Sequence, residues 1–405
     1  MKKSKKGSST VFVLVIMTGL LTLFTVYIGA VREQSVAGSV NALGRLWADS
    51  VIAEYDRRLY GEYGIFAYLG TPGETEEKIL EMAEYTFAGK DYADVGICIC
   101  LPEEYSLAAA ENFKEQVVSA GKASEIDLVI QDFTEPFTGE TAETPGSEER
   151  AIRNQRVINS LPSHGRSGEG FFERAGEFFK SLGSLGGAIS EGTDLFFIDR
   201  YIKTHFRNQL SDKSLENRFL VYEEEYILFG KTSDAANRRA AKAAIIGIRE
   251  VMNFAYLNTC ETKKNEALAL GAVLLPEAPE AMQQTLLAGW ALAESFNDYE
   301  LLMRARPVPF MKDDESWATT ITNALDGVSS GYIDTGCESG SRYEDHLSAL
   351  MCLLPEDIKL LRMMDLIQIN LKYTYRADFL ITDCYVGVDY LIEVNGKSYA
   401  FSAEY

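Results

Sequence analysis

Histidine is almost missing from this chain of 405 residues: His164, His205 and His346 are the only three, each in a different segment. No HExxH or HxH spacing pairs them, so no local motif supplies the imidazoles of a metal site. Six cysteines are equally sparse and none stands in a CxxC, which argues against a zinc knuckle and against a disulfide-built scaffold. Cys98-Ile-Cys100 lies in an alternating apolar run where both side chains face one side of a strand, and reads as a pair of buried thiols. Basic residues are outnumbered, 39 to 60, for a net charge of −21. Such a surface repels phosphate backbones, which excludes nucleic acid as a partner. Phosphate loops are missing as well: Gly183–Gly187 is not followed by GK[ST], and Gly230-Lys231-Thr232 lacks the upstream glycine. Glu223-Glu224-Glu225 offers three carboxylates, but adjacent residues point different ways, so the run reads as a solvated element end. No cofactor and no metal is expected.

What is present is one long uncharged stretch. Val11 to Val31 holds 21 residues, 13 of them Val, Leu, Ile or Phe, and a helix of that length covers about 31 Å, the thickness of a bilayer's hydrocarbon core. Val11, Phe12, Leu14, Ile16, Leu20, Leu21, Leu23, Phe24, Val26, Ile28 and Val31 supply the apolar surface of the expected anchor. Ahead of it stand Lys2, Lys3, Lys5 and Lys6, while behind it Arg32 and Glu33 cancel. By the positive-inside rule the amino end stays cytoplasmic and the rest of the chain is extracellular, single-pass in the cell membrane. A cleaved signal peptide is the competing reading, with a small-x-small site at Ser35-Val36-Ala37. Signal cores run about 7 to 15 residues, so length favours retention. Val36, Val40, Leu43, Trp47, Val51, Tyr55 and Leu59 recur at steps of three and four, predicting that the helix continues outward to about Tyr60.

The remaining segments divide the chain into a basic segment 1–10, the span 11–31, a helical extension 32–60, a first ectodomain part 61–131, a low-complexity acidic and Gly-rich linker 132–170, a mainly helical part 171–371 and C-terminal strands 372–405. Strands are predicted at Gly64–Leu69 and Asp94–Leu101, and a helix from Thr71 or Thr75 to Phe87. Phe171 to Leu185 has the spacing of an amphipathic helix. Asp234 is the expected N-cap of a helix to Thr262, with further helices at Asn265–Leu275, Glu280–Arg304 and Trp317–Leu325, and two more over Tyr343–Leu371, interrupted near Pro355. Tyr373 to Val394 alternates, and Asn395-Gly396 marks a hairpin returning through Lys397–Tyr405. The fold class is therefore α+β: a long transmembrane helix, then a mostly helical ectodomain with a small antiparallel sheet built from N- and C-terminal strands.

Gly327-Val328-Ser329-Ser330-Gly331 matches the G-x-S-x-G nucleophile elbow, and His346 lies downstream. That motif needs a strand before it and a helix after it, whereas helical WATTITNALD precedes it and a loop follows. A secreted serine hydrolase using Ser329 is thus the weakest of three readings, behind an anchored adhesin or ligand-binding protein.

Several short segments occur in a telling order: Gly7-Ser8-Ser9-Thr10-Val11-Phe12, Asp49 to Asp56, Tyr63-Gly64-Ile65-Phe66, Glu225 to Gly230, Ile248-Arg249-Glu250 with Asn253, Trp290 to Glu294, Val308-Pro309-Phe310, and Tyr343 to Leu347. Over most of the chain outside residues 130–190 they resemble an uncharacterised family of cell-envelope proteins from Gram-positive bacteria. The resemblance implies association with Tad/Flp-type pilus or secretion machinery, and the N-terminal helix is similar to that of TadE/TadG pilin-like proteins. Prepilin substrates carry Glu at the fifth mature position, where counting from Gly7 this chain has Phe12. The expectation is a non-enzymatic accessory or minor pilin-like component, whose partners are the bilayer and other pilus or secretion-system proteins.

Overall fold

Ser8 to Ile52 contains no proline, and the chain forms from it one helix of 45 residues, α1 (Ser8–Ile52), about 67 Å long at 1.5 Å per residue. The computed structural model describes residues 8–131, 150–166, 174, 193–211, 218–325 and 332–405. The four N-terminal lysines, most of the predicted linker, the Phe171–Leu185 stretch apart from Arg174, and Ser329 lie outside the described residues. The architecture is α+β, as expected, and the contacts divide it into two units. One comprises the chain to Gly61 with Phe66–Asn112 and Thr382–Tyr405; the other comprises Glu62–Ile65 and Phe113–Ile381.

α1 stops eight residues before the predicted end at Tyr60. Tyr55 leaves the helix to bridge Tyr68, and Asp56 starts a new one, its Oδ1 accepting from the amides of Arg58 and Leu59, both at 2.9 Å. That carboxylate caps α2 (Arg57–Tyr63) as an N-cap residue does. Gly64 then adopts φ +64°, so the strand predicted from Gly64 shrinks to β1 (Tyr68–Leu69). Thr71 begins α3 (Pro72–Phe87) with a capping box to Glu74.

In the first unit, β2 (Val95–Cys100), β4 (Gly387–Val394) and β5 (Lys397–Glu404) form an antiparallel sheet in the order β2-β4-β5, and β3 (Cys384–Tyr385) pairs with β1. Strands from the two ends of the chain thus share one sheet. Asn395 and Gly396 take φ 53° and 72°, the left-handed pair that a two-residue hairpin of type I′ requires. Helix α13 (Glu356–Thr374) occupies the beginning of the stretch predicted to alternate, so the C-terminal strands start at Cys384 and not near residue 372. Val36, Val40, Trp47 and Val51 of α1 pack with Ile79, Ala83 and Phe87 of α3 against Val388, Tyr390 and Ile392.

Gly44 lets α1 lie this close. Tyr390 Oη donates to the Gly44 carbonyl at 2.6 Å, and the Phe401 ring occupies the space a Cβ there would need. Gly44→Ala is therefore expected to cost about 1–3 kcal/mol of stability through overpacking. Gly38, with nothing near it, is the control: Gly38→Ala leaves chemical denaturation unchanged or shifts it slightly upward. Equal effects at the two glycines would contradict the packing.

The second unit is helical. Besides most of α4 (Ala110–Gln131) it holds α5 (Gln155–Asn159), α6 (Thr193–His205), α7 (Glu223–Phe229), α8 (Asp234–Thr259), α9 (Glu261–Leu274), α10 (Pro279–Leu302), α11 (Ile321–Leu325), α12 (Tyr343–Met351) and α13. α8, α9 and α10 pack against one another. Ser233, not Asp234, caps α8: its hydroxyl accepts from the Ala236 amide at 3.3 Å. Asp234 is buried and accepts instead from the amides of Arg150, Val221 and Tyr222 at 3.0–3.1 Å. α11 starts at Ile321 and not at Trp317, because Glu294 holds the amides of Ala318 and Thr319 at 3.0 and 2.8 Å.

Candidate functional site: an exposed apolar helix and two buried charge clusters

Every residue of α1 from Thr10 to Ser35 is exposed, and Val36 is the first that is buried. The eleven apolar residues expected to form the anchor stand between 45% and 72% exposed. Its most apolar stretch of 18 residues has a mean hydropathy of 2.5, and none of that stretch is buried. A surface of this kind, far larger than the patches soluble proteins carry singly, marks a place where another apolar phase belongs. Its threonine hydroxyls bond within the helix. Thr18 donates to the Leu14 carbonyl at 2.7 Å, Thr22 to Gly19 at 2.8 Å and Thr25 to Leu21 at 2.8 Å, so the helix satisfies itself internally, as a hydrocarbon environment demands. At the foot of the exposed half, Arg32 lies 5.3 Å from the Tyr92 ring centre and Glu33 pairs with Lys397 at 2.5 Å. That lysine holds the Glu33 carboxyl below its usual range.

The solvated end expected at Glu223-Glu224-Glu225 is instead buried. The three carboxylates do diverge, but the chain wraps the start of α7 so that each meets a partner sixteen residues earlier: the Arg207 amide donates to Glu223 at 3.2 Å, the Asn208 side chain to Glu224 at 3.2 Å and the Gln209 amide to Glu225 at 3.1 Å. Arg207 and Arg218 flank Glu223 at 4.0 and 3.9 Å, and Asn370 donates to it at 2.7 Å. Tyr343 Oη donates to Glu225 at 2.8 Å. At the other end of α7, Arg362 donates to the carbonyls of Ile227 and Leu228 at 2.8 and 2.7 Å, matching the helix dipole at both ends.

Burial pushes the Glu225 carboxyl up to about 7, against the pull of Gln209 and Tyr343, and pushes Asp365 up to about 6 against Ser163 and Tyr226. A raised carboxyl favours the folded state fully below its unfolded pKa, and the benefit disappears as pH rises through the folded value. Stability is accordingly expected to fall by about 3 kcal/mol between pH 5 and pH 8 from Glu225 alone. Urea midpoints at the two pH values check it: Glu225→Gln flattens most of the slope, and an unchanged slope in that variant would contradict the assignment.

A second cluster joins α8 to α10. Ala241, Ile245, Arg249, Asn253 and Leu257 form one fully buried stripe at steps of four. Arg249 Nε meets Asp298 at 2.9 Å and its Nη1 donates to the Phe310 carbonyl at 3.0 Å. Lys312 bridges Glu294 at 2.7 Å and Asp298 at 2.8 Å. Asn253 donates to Ser295 and Asp298, both at 3.0 Å. Two cations and two carboxylates thus neutralise one another, which is what makes such burial tolerable. Burial raises the Asp298 carboxyl, but Arg249 and Lys312 outweigh it and hold it low. His346 is buried beside the Phe310 ring, its Nδ1 bonded to the Arg342 carbonyl at 2.8 Å. Burial pushes it down to about 4, so it is neutral.

Five of the eight segments that carried the sequence resemblance meet in these clusters: Arg249, Asn253, Trp290, Glu294, Phe310 and His346 in or beside this one, Glu225 and Tyr343 in the other. Cys98 and Cys100 are buried, as expected. Among the described residues no group of His, Cys, Asp or Glu is placed to hold a metal ion. Ser329, Gly327 and Gly183–Gly187 lie outside the described residues.

Residues 126–396, well over half of the chain, match the model of a family of unknown function, DUF5702. The match leaves out α1, β1, α3 and β2. No curated protein and no solved structure matches the chain.

Proposed function

We propose that the chain, which belongs to the DUF5702 family, is anchored in a membrane by the exposed half of α1 and serves as a structural, non-enzymatic component of an envelope assembly. The observation that carries this is the change at Val36. One unbroken helix is uncharged from Val11 to Val31, stays exposed from Thr10 to Ser35, and packs on a sheet from Val36 onward. Such a helix joins a bilayer to a folded unit without a flexible linker. The four lysines at the amino end orient it with that end in the cytoplasm and the bulk of the chain outside. The finer assignment, an accessory or minor pilin-like part of a Tad-type pilus or secretion system, is supported by the resemblance of the N-terminal helix to TadE/TadG proteins. Two buried clusters of hydrogen-bonded polar and charged side chains suit a rigid framework part.

The test replaces residues 8–31 with an unrelated single span in the native host. The component role predicts a chain that still reaches the membrane while pilus assembly or secretion is lost. Normal assembly with the foreign span would overturn the pilin-like assignment and favour an adhesin whose ectodomain acts alone.

A further inference from the structure

The sheet of the first unit has a second face, turned away from α1. Val95 to Leu101 contains no charged residue, so β2 is apolar on both sides. A bulge between Val95 and Cys98 shifts its alternation, turning Cys98 and Cys100 into the core and leaving Ile97 62%, Ile99 44% and Leu101 54% exposed. Ile99 pairs with Leu391, itself 39% exposed, and Leu391 pairs with Ala400, so the apolar row crosses all three strands. β2 is also an edge strand, with Glu76 of α3 accepting from its Cys100 amide at 2.9 Å. Carboxylates surround the row: Asp389 and Glu393 alternate with Leu391 along β4, and Glu404 lies opposite Gly387 at the sheet's end. None of the three has an ion pair among the described residues. The one base in these strands, Lys397, is taken by Glu33.

We infer that this face docks a protein partner whose surface presents apolar side chains flanked by lysine or arginine. The apolar row supplies the buried contact and the acid rim selects the partner's charge. A second copy is disfavoured, because two such faces would oppose six carboxylates. Anionic headgroups are disfavoured for the same reason.

The test titrates the full chain in neutral detergent with three fluorescent peptides: alternating Leu-Lys, alternating Leu-Glu and alternating Ser-Lys. The Leu-Lys peptide is expected to bind at least tenfold more tightly than the other two. Ile99→Ser with Leu391→Ser lowers that affinity at least tenfold, and so, independently, does Glu393→Lys with Asp389→Lys. Ile99 and Leu391 are exposed and Asp389 and Glu393 are half-buried without an ion pair among the described residues, so melting curves of the variants should match the parent chain. Equal binding of the Ser-Lys peptide would show that charge alone acts and would overturn the inference. So would affinity unchanged by either pair, or a dimer of the chain dispersed by Ile99→Ser.

Discussion

Arg249→Met is expected to lower the stability of the helical unit by about 3–5 kcal/mol, because it strands buried Asp298 and Glu294 with a single cation between them. The loss comes less from the missing Coulomb attraction than from the uncompensated charge left behind, so removing both partners should recover much of it. Arg249→Met with Asp298→Leu is predicted to be more stable than Arg249→Met alone, a coupling that a double-mutant cycle measures. Trp290 and Trp317 report it directly: both indoles donate to the Thr319 carbonyl, at 3.1 and 2.9 Å, and Glu294 holds the same residue. Tryptophan fluorescence in a Trp47→Phe background then follows urea unfolding of this unit. Additive effects of the two substitutions would contradict a shared cluster.

The cluster also has a pH signature of opposite sign to that of Glu225. Asp298 is held below its ordinary range, so its contribution is present above the unfolded carboxyl pKa and is lost as pH falls through the folded value. Glu225 weakens the fold as pH rises toward 8 and Asp298 weakens it in acid, so these two groups place the stability maximum on the acid side of neutrality.

The second large effect concerns α1. Leu20→Arg with Phe24→Arg places two charges near the middle of the exposed half, at a cost of roughly 2.5–3.5 kcal/mol each for insertion. The thirteen strongly apolar residues of Val11–Val31 contribute roughly −4 to −8 kcal/mol on the same scale, so two arginines cancel most of the drive. The variant is expected to leave the membrane fraction, while Leu46→Arg, on an exposed position of the packed half, stays in it. Retention of the double variant would contradict insertion of this segment.

What could be read in the sequence follows from period and punctuation. The apolar run, the helix start at Thr71, the Asn395-Gly396 turn and the stripe at steps of three and four through Val36, Val40, Leu43, Trp47 and Val51 are all local signals, and each has its counterpart in the structure. The break after Ile52 is not local, since it depends on Tyr55 pairing with Tyr68 and Asp56 capping a second helix. The charge clusters were harder still. Arg249 and Asn253 continue the stripe of Ala241 and Ile245 at steps of four, as Glu294 and Asp298 do on α10. That periodicity was the available signal, a charge set on a core-facing row. The acid run at Glu223 carried no such signal, because its burial comes from a segment sixteen residues away.

The most direct measurement of the central claim is the N-terminal sequence and location of the chain in its native host, by mass spectrometry of carbonate-washed membranes and of the medium. Insertion of α1 predicts a chain in the membranes that retains Val11 to Val31. A chain beginning at Gly38 and recovered from the medium would contradict it, leaving the apolar stretch as a signal peptide and the folded units as a free secreted protein.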